Sequence, residues 1–282
     1  MKRNNGGKGS RTFYSSLKWT SRVCTAISVL ALLGVVAYVL IDGLNFNAIK
    51  SLFDPESETP IMPALVGTFA LVCVSLLIAV PLGMFTAIFM VEYMAGKGKI
   101  VKIVRVATET LAGIPSIVYG LFGYLVFVQT LGLGYSLLGG GITLAIMVLP
   151  VIVRSTEESL LAVPNGFREG SYALGSSKVR TIFKVVLPSA SSGIVTSIIL
   201  AVGRVLSESA VLILTIGMVA VRMPESILSP GTSLALDIYY YANTGNPEAA
   251  AATAVLLLIV ILAVNALAGL VGKILKNKTG EK

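Results

Sequence analysis

The sequence of 282 residues contains no histidine, only two cysteines and a single tryptophan. Without histidine it lacks the commonest metal ligand and the commonest general base of enzymes. Cys24 and Cys73 both lie in apolar segments, where packing as small apolar side chains is favoured over a disulfide or a metal site. We therefore expect no catalytic residue and no metal site in this chain, and a function other than that of an enzyme.

Charge is also scarce, since Asp, Glu, Lys and Arg make up 13% of the residues, against about a quarter in a soluble domain. Hydrophobic residues make up 55%, which is typical of a membrane protein. The net charge of +8 would otherwise favour nucleic acid as a partner, but the basic residues are spread over the chain ends and short loops. We predict contact with membrane lipid and none with nucleic acid.

Six apolar segments are long enough to cross the hydrocarbon core of a bilayer, which takes about 20 helical residues. Backbone polar groups in lipid must be satisfied internally, so each segment is predicted to be a helix. The sequence thus predicts an all-α, polytopic membrane protein with six transmembrane helices, at residues 23–41, 64–91, 106–128, 136–153, 191–221 and 248–272. Pro81, Pro115 and Pro150 lie inside three of these segments and are predicted to kink them.

The distribution of basic residues predicts the orientation of these segments. Lysine and arginine concentrate in the two chain ends and in the loops after the second and fourth segments. The three remaining loops hold only Lys50 and Arg222. Because loops rich in lysine and arginine stay on the cytoplasmic side, we predict that both termini and the long loop after the fourth segment are cytoplasmic.

That loop, at about residues 154–190, is amphipathic and carries charges of both signs. The sequence Pro164-Asn165-Gly166 indicates a turn, after which residues 167–174 are predicted to form a short helix. Gly175 follows at the usual place of a C-cap glycine. A second amphipathic run leads from residue 179 to Pro188 and the fifth segment. A helix, a glycine turn and a second helix below the membrane can insert into a groove on a soluble partner.

The loop resembles the EAA loop of permeases from binding-protein-dependent ABC importers, through which the permease contacts its ATPase. The matching residues are Glu169, Gly170, Ser171, Gly175, Val185, Leu187 and Pro188, with Gly170 and Ser171 in place of the two alanines of the pattern. The resemblance implies the type I ABC importer permease fold with a cytoplasmic coupling helix. It further implies that Glu169, Gly170, Ser171, Gly175, Leu187 and Pro188 form the contact with the ATPase.

The chain has no G-x-x-x-x-G-K-[ST] phosphate-binding loop; residues 96–99 (GKGK) lack both the earlier glycine and the hydroxyl residue. If ATP drives transport, the ATPase is a separate chain. We accordingly expect no cofactor on this chain, and ATP with Mg²⁺ on the partner.

Further segments resemble the permeases of phosphate importers, and PstA rather than its partner PstC. They are GIPSIVYGLFG at 113–123, GRVLSESAVLILTIG at 203–217, MPESILSPGTSLALDIYYYA at 223–242 and the last span with Asn265. The resemblance covers about residues 60–275. It implies uptake of inorganic phosphate into a bacterial or archaeal cell, across the cytoplasmic membrane. The implied partners are a PstC-like second permease, a PstB-like ATPase dimer and a PstS-like extracytoplasmic phosphate-binding protein.

Charged residues within the spans are costly and mark a bundle interior or an aqueous pathway. Arg204 and Glu208 are four apart, so they would share one face of a continuous helix. Either they form an intrahelical ion pair that neutralises itself, or Arg204 faces the translocation pathway and Glu208 holds it in position. In the second case Arg204 offers a planar fork of donors to an oxyanion. A carboxylate can accept a hydrogen bond from the hydroxyl of hydrogen phosphate, and it repels sulfate, which has no proton to donate.

Two further charges are candidates for the pathway. Glu109 would either pair with Arg204 or lie near the cytoplasmic interface. Arg154 directly follows the fourth segment and either closes the inner end of the pathway or serves only to orient the chain.

The acidic, proline-containing stretch at 54–63 predicts a division of the chain. Residues 1–60 would hold the N-terminal tail, the first helix and an outer linker; residues 61–275 a five-helix permease core; and residues 276–282 a cytoplasmic tail. Two alternatives stay open at this point, an ABC permease for molybdate or sulfate and an ion-coupled carrier that works without an ATPase. The absence of an obvious internal repeat argues mildly against the carrier.

Overall fold

The computed structural model describes residues 6–54, 56–94 and 98–279, and every regular element in these ranges is helical. The helices are α1 (Gly6–Gly43), α2 (Phe46–Leu52), α3 (Met62–Ile88), α4 (Lys99–Ala112), α5 (Ser116–Gly123), α6 (Leu137–Leu161), α7 (Asn165–Ala173), α8 (Lys178–Thr181), α9 (Leu187–Ser189), α10 (Ser191–Leu206), α11 (Ala210–Thr215), α12 (Leu234–Asn243) and α13 (Pro247–Thr279). Three π-helical segments follow α3, α5 and α8, at Phe89–Tyr93, Tyr124–Thr130 and Ile182–Val186.

Four of the predicted spans are present as single long helices. They are Phe13–Gly43, Met62–Tyr93, Leu137–Leu161 and Pro247–Leu270, and each is long and apolar enough to cross a membrane. They correspond to the first, second, fourth and sixth predicted segments. Pro81 lies inside α3 and Pro150 inside α6, and both helices continue past the proline.

The third predicted segment, 106–128, is not one continuous helix. Lys99–Ala112 and Ser116–Thr130 meet at an angle of 101°. Pro115 lies at the junction with a ψ of 141°, because proline cannot donate the backbone hydrogen bond that would continue α4. The kink predicted at Pro115 is therefore confirmed, whereas the length of the apolar run did not indicate a break.

The fifth predicted segment, 191–221, is also broken. Helix α10 ends at Leu206, α11 spans only Ala210–Thr215, and the chain is then irregular until α12. The hydroxyl of Ser207 donates to the carbonyl of Gly203 at 3.0 Å, so this side chain competes with backbone N–H groups for an acceptor in the last turn of α10. Beyond α11 the backbone turns sharply, with positive φ at Gly217 and Met218. Helix α10 (Ser191–Leu206) meets the preceding helical segment Lys178–Ser189 at 68°, and the two reach the length and hydropathy of a span only when they are taken together.

The core lies where α3 packs along α6, and α5, α10 and α11 close around them. Leu71, Ala79, Leu144 and Val148 are almost fully buried in it. Gly141 permits the close approach of the two long helices, since a Cβ atom there would lie 2.5 Å from Cγ1 of Val74.

Helix α3 defines the two ends of the bundle. Its first turns contact α12, where the hydroxyl of Thr68 accepts from the N–H of Leu234 at 2.9 Å. Its π-helical end contacts the loop that contains α7 and α8, where Nζ of Lys178 lies 4.7 Å from the ring centre of Tyr93. We call these the α12 end and the α7 end.

The first helix packs mainly against α13, which continues as a helix to Thr279. The predicted tail at 276–282 is therefore helical through Thr279, and its last three residues lie outside the described ranges, as do residues 1–5 of the N-terminal tail. The division of the chain near residue 61 stays a prediction.

Candidate functional site

The predicted helix, glycine turn and helix are present at the α7 end. Helix α7 begins directly after Pro164 and ends at Ala173. Gly175 has a φ of +79°, a conformation that favours glycine. Its N–H donates to the carbonyl of Tyr172 at 2.9 Å, and the N–H of Ser176 donates to that of Ser171 at 3.2 Å, which satisfies the last carbonyls of α7. The C-cap role predicted for Gly175 is confirmed.

Large apolar side chains are exposed on this segment. Leu174, at the turn, is 89% exposed, and none of the nine residues of α7 is buried. We call the exposed set the loop surface; it consists of Phe167, Tyr172, Leu174, Val179 and Phe183. Such a cluster on a short helix and its neighbour is suited to insertion into an apolar groove of a partner.

The residues of the EAA pattern fall into two groups in this structure. Glu169 and Gly170 are exposed on α7, beside the loop surface. Ser171 instead faces α8, with its Oγ 2.9 Å from Oγ1 of Thr181. Leu187 packs against the buried cluster formed by the ends of α3 and α6 and the start of α10, while Pro188 is exposed at α9. Part of the pattern therefore presents a surface, and part holds that surface against the bundle.

Two functional candidates escaped the sequence analysis. Arg168 of α7 donates from Nη2 to Oε1 of Glu92 at 2.7 Å, and Glu92 lies in the π-helical end of α3 with only 4% of its side chain exposed. An acidic residue at the end of a long apolar run needs a partner, and that signal was available in the sequence.

Arg204 and Glu208 do not share a helix face, contrary to the prediction from their spacing. Arg204 is in the last turn of α10, and Glu208 follows in the break before α11. Oε1 of Glu208 accepts from the N–H of Val211 at 3.3 Å, so the carboxylate caps the start of α11. Within the described ranges no carboxylate forms a salt bridge with Arg204 and no acceptor bonds its guanidinium. Both residues stay candidates for the pathway, but not as a mutual ion pair.

Glu109 and Arg154 meet at a charged cavity between α4 and α6. The cavity has a volume of about 220 Å³ and is lined by Arg105, Thr108, Glu109, Arg154, Glu157, Glu158 and Leu161. Nε of Arg105 donates to Oε1 of Glu157 at 2.9 Å, and Nε of Arg154 donates to Oε1 of Glu158 at 3.1 Å. Glu109 is exposed on α4 and forms no salt bridge with Arg204 among the described residues, so of its two predicted positions the one beside Arg204 is wrong.

A buried acid lies at the α12 end. Asp237 of α12 is fully buried, and its Oδ1 accepts from the hydroxyl of Thr232. In the described part of the chain, neither its Oδ2 nor the buried hydroxyl of Tyr241 has a hydrogen-bond partner. Burial raises the pKa of Asp237 to about 7, against a smaller opposing effect of the Thr232 hydrogen bond. Burial, with Asp237 and Tyr240 nearby, also raises the pKa of Tyr241.

This acid predicts a dependence of stability on pH. The carboxyl of Asp237 binds its proton more tightly in the folded protein than in the unfolded chain, where its pKa is 3.8. The resulting stabilisation is complete below about pH 4 and is lost as the pH rises through about 7; its full size is on the order of 4 kcal/mol. We expect Asp237→Asn to remove this slope, because the amide cannot ionise but still accepts from Thr232.

Thermal unfolding in detergent between about pH 5 and about pH 8 measures the effect. Asp54→Asn, at an exposed carboxylate, is the matched control and should keep the wild-type slope. Identical pH profiles for Asp237→Asn and the wild type would contradict the prediction.

Similarity to known sequences shows which protein family this chain belongs to. Residues 79–278, well over half of the chain, match the family described as binding-protein-dependent transport system inner membrane component. The chain belongs to this family. It is therefore a multi-pass membrane component of an importer and not its ATPase, and ABC importers of this kind work with a separate ATPase and a substrate-binding protein.

Several curated members of the family are similar along most of their length. The chain is 34% identical to the probable ABC transporter permease protein YqgI of Bacillus subtilis, over 91% of this chain and 94% of that protein. It is also 34% identical to the phosphate transport system permease protein PstA 1 of Mycobacterium tuberculosis H37Rv, over 82% of this chain and 75% of that protein.

Solved structures confirm the fold. A bacterial ABC transporter involved in alginate import matches with a TM-score of 0.65 at 14% identity, over 94% of this chain and 97% of the matched chain. The MetNI methionine ABC transporter, in an inward-facing conformation, matches with a TM-score of 0.61 at 21% identity, over 76% and 94%. The predicted type I importer permease fold is thereby confirmed, although two of its spans are broken.

Proposed function

We propose that this chain is a permease subunit of an ATP-driven importer of inorganic phosphate. It would form the translocation pathway together with a PstC-like second permease. A PstB-like ATPase dimer would bind ATP and Mg²⁺, and a PstS-like extracytoplasmic protein would deliver phosphate. In this arrangement the α7 end and both termini are cytoplasmic, as the distribution of lysine and arginine predicts.

One structural observation carries the coupling part of this proposal. The loop surface stands exposed on a short helix that is capped by Gly175 and fixed against the ends of the long helices. An exposed apolar cluster of this kind is stable in water only at a cost, and a partner groove would bury it. Glu169 and Gly170, exposed on the same helix, would lie in this contact.

The cargo is supported by the relatives and by Arg204. Relatives named as PstA phosphate permeases are 34% identical in mycobacteria and 33% identical in Haemophilus influenzae. Arg204 is half-buried, and its fork of donors is not engaged by a carboxylate of the described chain, which leaves it able to bind an oxyanion. Glu208, Glu109 and Arg154 would supply further charges along the route.

The chain would act by alternating access. Closure of the ATPase dimer would draw the docked α7 helices together, and the bundle would change from inward-facing to outward-facing. Tight binding of phosphate within the pathway is not required, because release is as important as capture.

Uptake of radiolabelled phosphate into proteoliposomes tests the proposal. The four kinds of subunit are reconstituted together, and ATP is supplied on the side of the ATPase. We expect phosphate accumulation that requires ATP, Mg²⁺ and the binding protein. Excess unlabelled phosphate should reduce this accumulation far more than excess sulfate or molybdate does.

Three results would contradict the proposal in different ways. If molybdate or sulfate competed more strongly than unlabelled phosphate, that anion would be the cargo instead of phosphate. Accumulation without nucleotide or ATPase would favour an ion-coupled carrier. Absence of any uptake by the complete wild-type complex would refute transport of phosphate by this chain.

A further inference from the structure

The side chain of Arg168 is bound on all sides, although it belongs to an exposed helix. Its Nε and Nη2 both donate to Oε1 of Glu92, at 3.0 and 2.7 Å. Nη2 also donates to the carbonyl of Leu160 at 2.9 Å, and Nη1 donates to that of Val163 at 2.8 Å and to Oδ1 of Asn165 at 3.5 Å. All five N–H groups of the guanidinium therefore have an acceptor.

These acceptors come from three different parts of the molecule. Glu92 belongs to the π-helical end of α3, Leu160 and Val163 to the end of α6 and the turn after it, and Asn165 to the first turn of α7. Because α3 and α6 pack along each other in the core, the guanidinium joins α7 to the central pair of helices. The remaining contacts of α7 are mainly with α8 and the π-helical segment that follows it.

The pair is shielded from water. The side chain of Glu92 is 4% exposed and that of Arg168 is 14% exposed, whereas the pair Arg222–Glu225 near the α12 end is 77% and 73% exposed. A buried ion pair is screened little by salt, and its geometry is fixed by the surrounding hydrogen bonds. Displacement of α7 without α3 and α6 would leave the Glu92 carboxylate buried without its cation.

We propose that Arg168 and Glu92 form a positioning pair that transmits the movement of α7 to α3 and α6. The proposal rests on the function proposed above, in which α7 docks on the ATPase. Lysine at position 168 would keep the charge but has three donors on one atom, and it cannot span Glu92 and both carbonyls with the same geometry. Arg168→Lys and Glu92→Gln should therefore loosen the link while leaving the loop surface in place.

The test measures phosphate accumulated and ATP hydrolysed in the same proteoliposomes, which contain the complete four-component complex. We expect the number of phosphate ions transported per ATP to fall about fivefold or more in Arg168→Lys and in Glu92→Gln, the low end of typical coupling between sites. Glu225→Gln, which removes an exposed ion pair away from α7, should keep the wild-type ratio.

Three other outcomes would overturn either the role of the pair or the proposed function, and they can be told apart. An unchanged ratio in assembled Arg168→Lys and Glu92→Gln complexes would show that the pair does not transmit movement. Failure of both complexes to assemble, while Glu225→Gln assembles, would assign the pair a purely structural role. If the wild-type complex hydrolyses ATP but accumulates no phosphate, the proposed function fails and not the link alone.

Discussion

Replacement of Leu174 by aspartate is expected to abolish stable binding of the ATPase to this permease. Leu174 is 89% exposed, so the substitution removes no packing within the chain and should not impair folding. In the proposed complex the leucine enters an apolar groove, and burying such a side chain contributes about 1.5–3 kcal/mol. Its loss alone lowers affinity about 10- to 100-fold, and burial of an unpaired carboxylate lowers it further.

Co-purification of the ATPase with the tagged permease measures this effect. Leu228→Asp is the control, since Leu228 is an exposed leucine, at 55%, in the loop between α11 and α12, away from α7. We expect the control to retain the ATPase fully. Equal recovery of the ATPase with Leu174→Asp and with Leu228→Asp would show that the loop surface is not the docking site.

Replacement of Arg204 by glutamine is expected to lower phosphate uptake about 10- to 100-fold while the complex still assembles. Hydrogen bonds to a charged group contribute about 1.5–3 kcal/mol, and the neutral amide would lose this share of the interaction with the anion. Arg204→Lys should be intermediate, because it keeps the charge without the planar fork. Arg222→Gln, at an exposed arginine paired with Glu225, should transport normally.

Glu208→Gln separates two roles of the neighbouring acid. The amide oxygen can still accept from the N–H of Val211 and so preserve the cap of α11. The amide has no negative charge, so it would accept a weaker hydrogen bond from the hydroxyl of hydrogen phosphate and would no longer repel sulfate. We expect reduced phosphate uptake in Glu208→Gln if Glu208 contacts the cargo, whereas normal uptake would show that Glu208 only caps α11. For the first variant, normal uptake by Arg204→Gln would show that Arg204 does not belong to the pathway.

Much of the fold was predictable because burial in lipid leaves few choices for the backbone. Runs such as 64–91 and 136–153 contain enough apolar residues to span a bilayer, and both are long helices in the structure. The same criterion did not indicate the breaks at 106–128 and 191–221, although the kink at Pro115 was predicted from the proline itself. The break after Arg204 lies in a serine-rich stretch inside an unbroken apolar run. Hydropathy indicates whether a segment is suited to lipid or to water, but it does not indicate whether the helix bends.

The site was predictable to the extent that it depends on local chemistry. Gly175 was correctly placed as a C-cap, because a left-handed backbone at the end of a short helix requires a residue such as glycine. The bond between Arg168 and Glu92 was missed, because their 76 positions of separation are bridged only when α3 and α7 reach the same end of the bundle. The prediction that Arg204 and Glu208 share a helix face was wrong, because α10 ends at Leu206, between the two residues.

The sequence alone therefore determined the membrane location, the helical class and the helix, glycine turn and helix of the loop at 154–190, since each follows from composition or from spacing within a few residues. The tertiary structure decided which charges meet. It paired Glu92 with Arg168, left Arg204 without a carboxylate among the described residues, and buried Asp237. The physical reason is that an ion pair or a buried acid depends on distances across helices, which local periodicity does not specify.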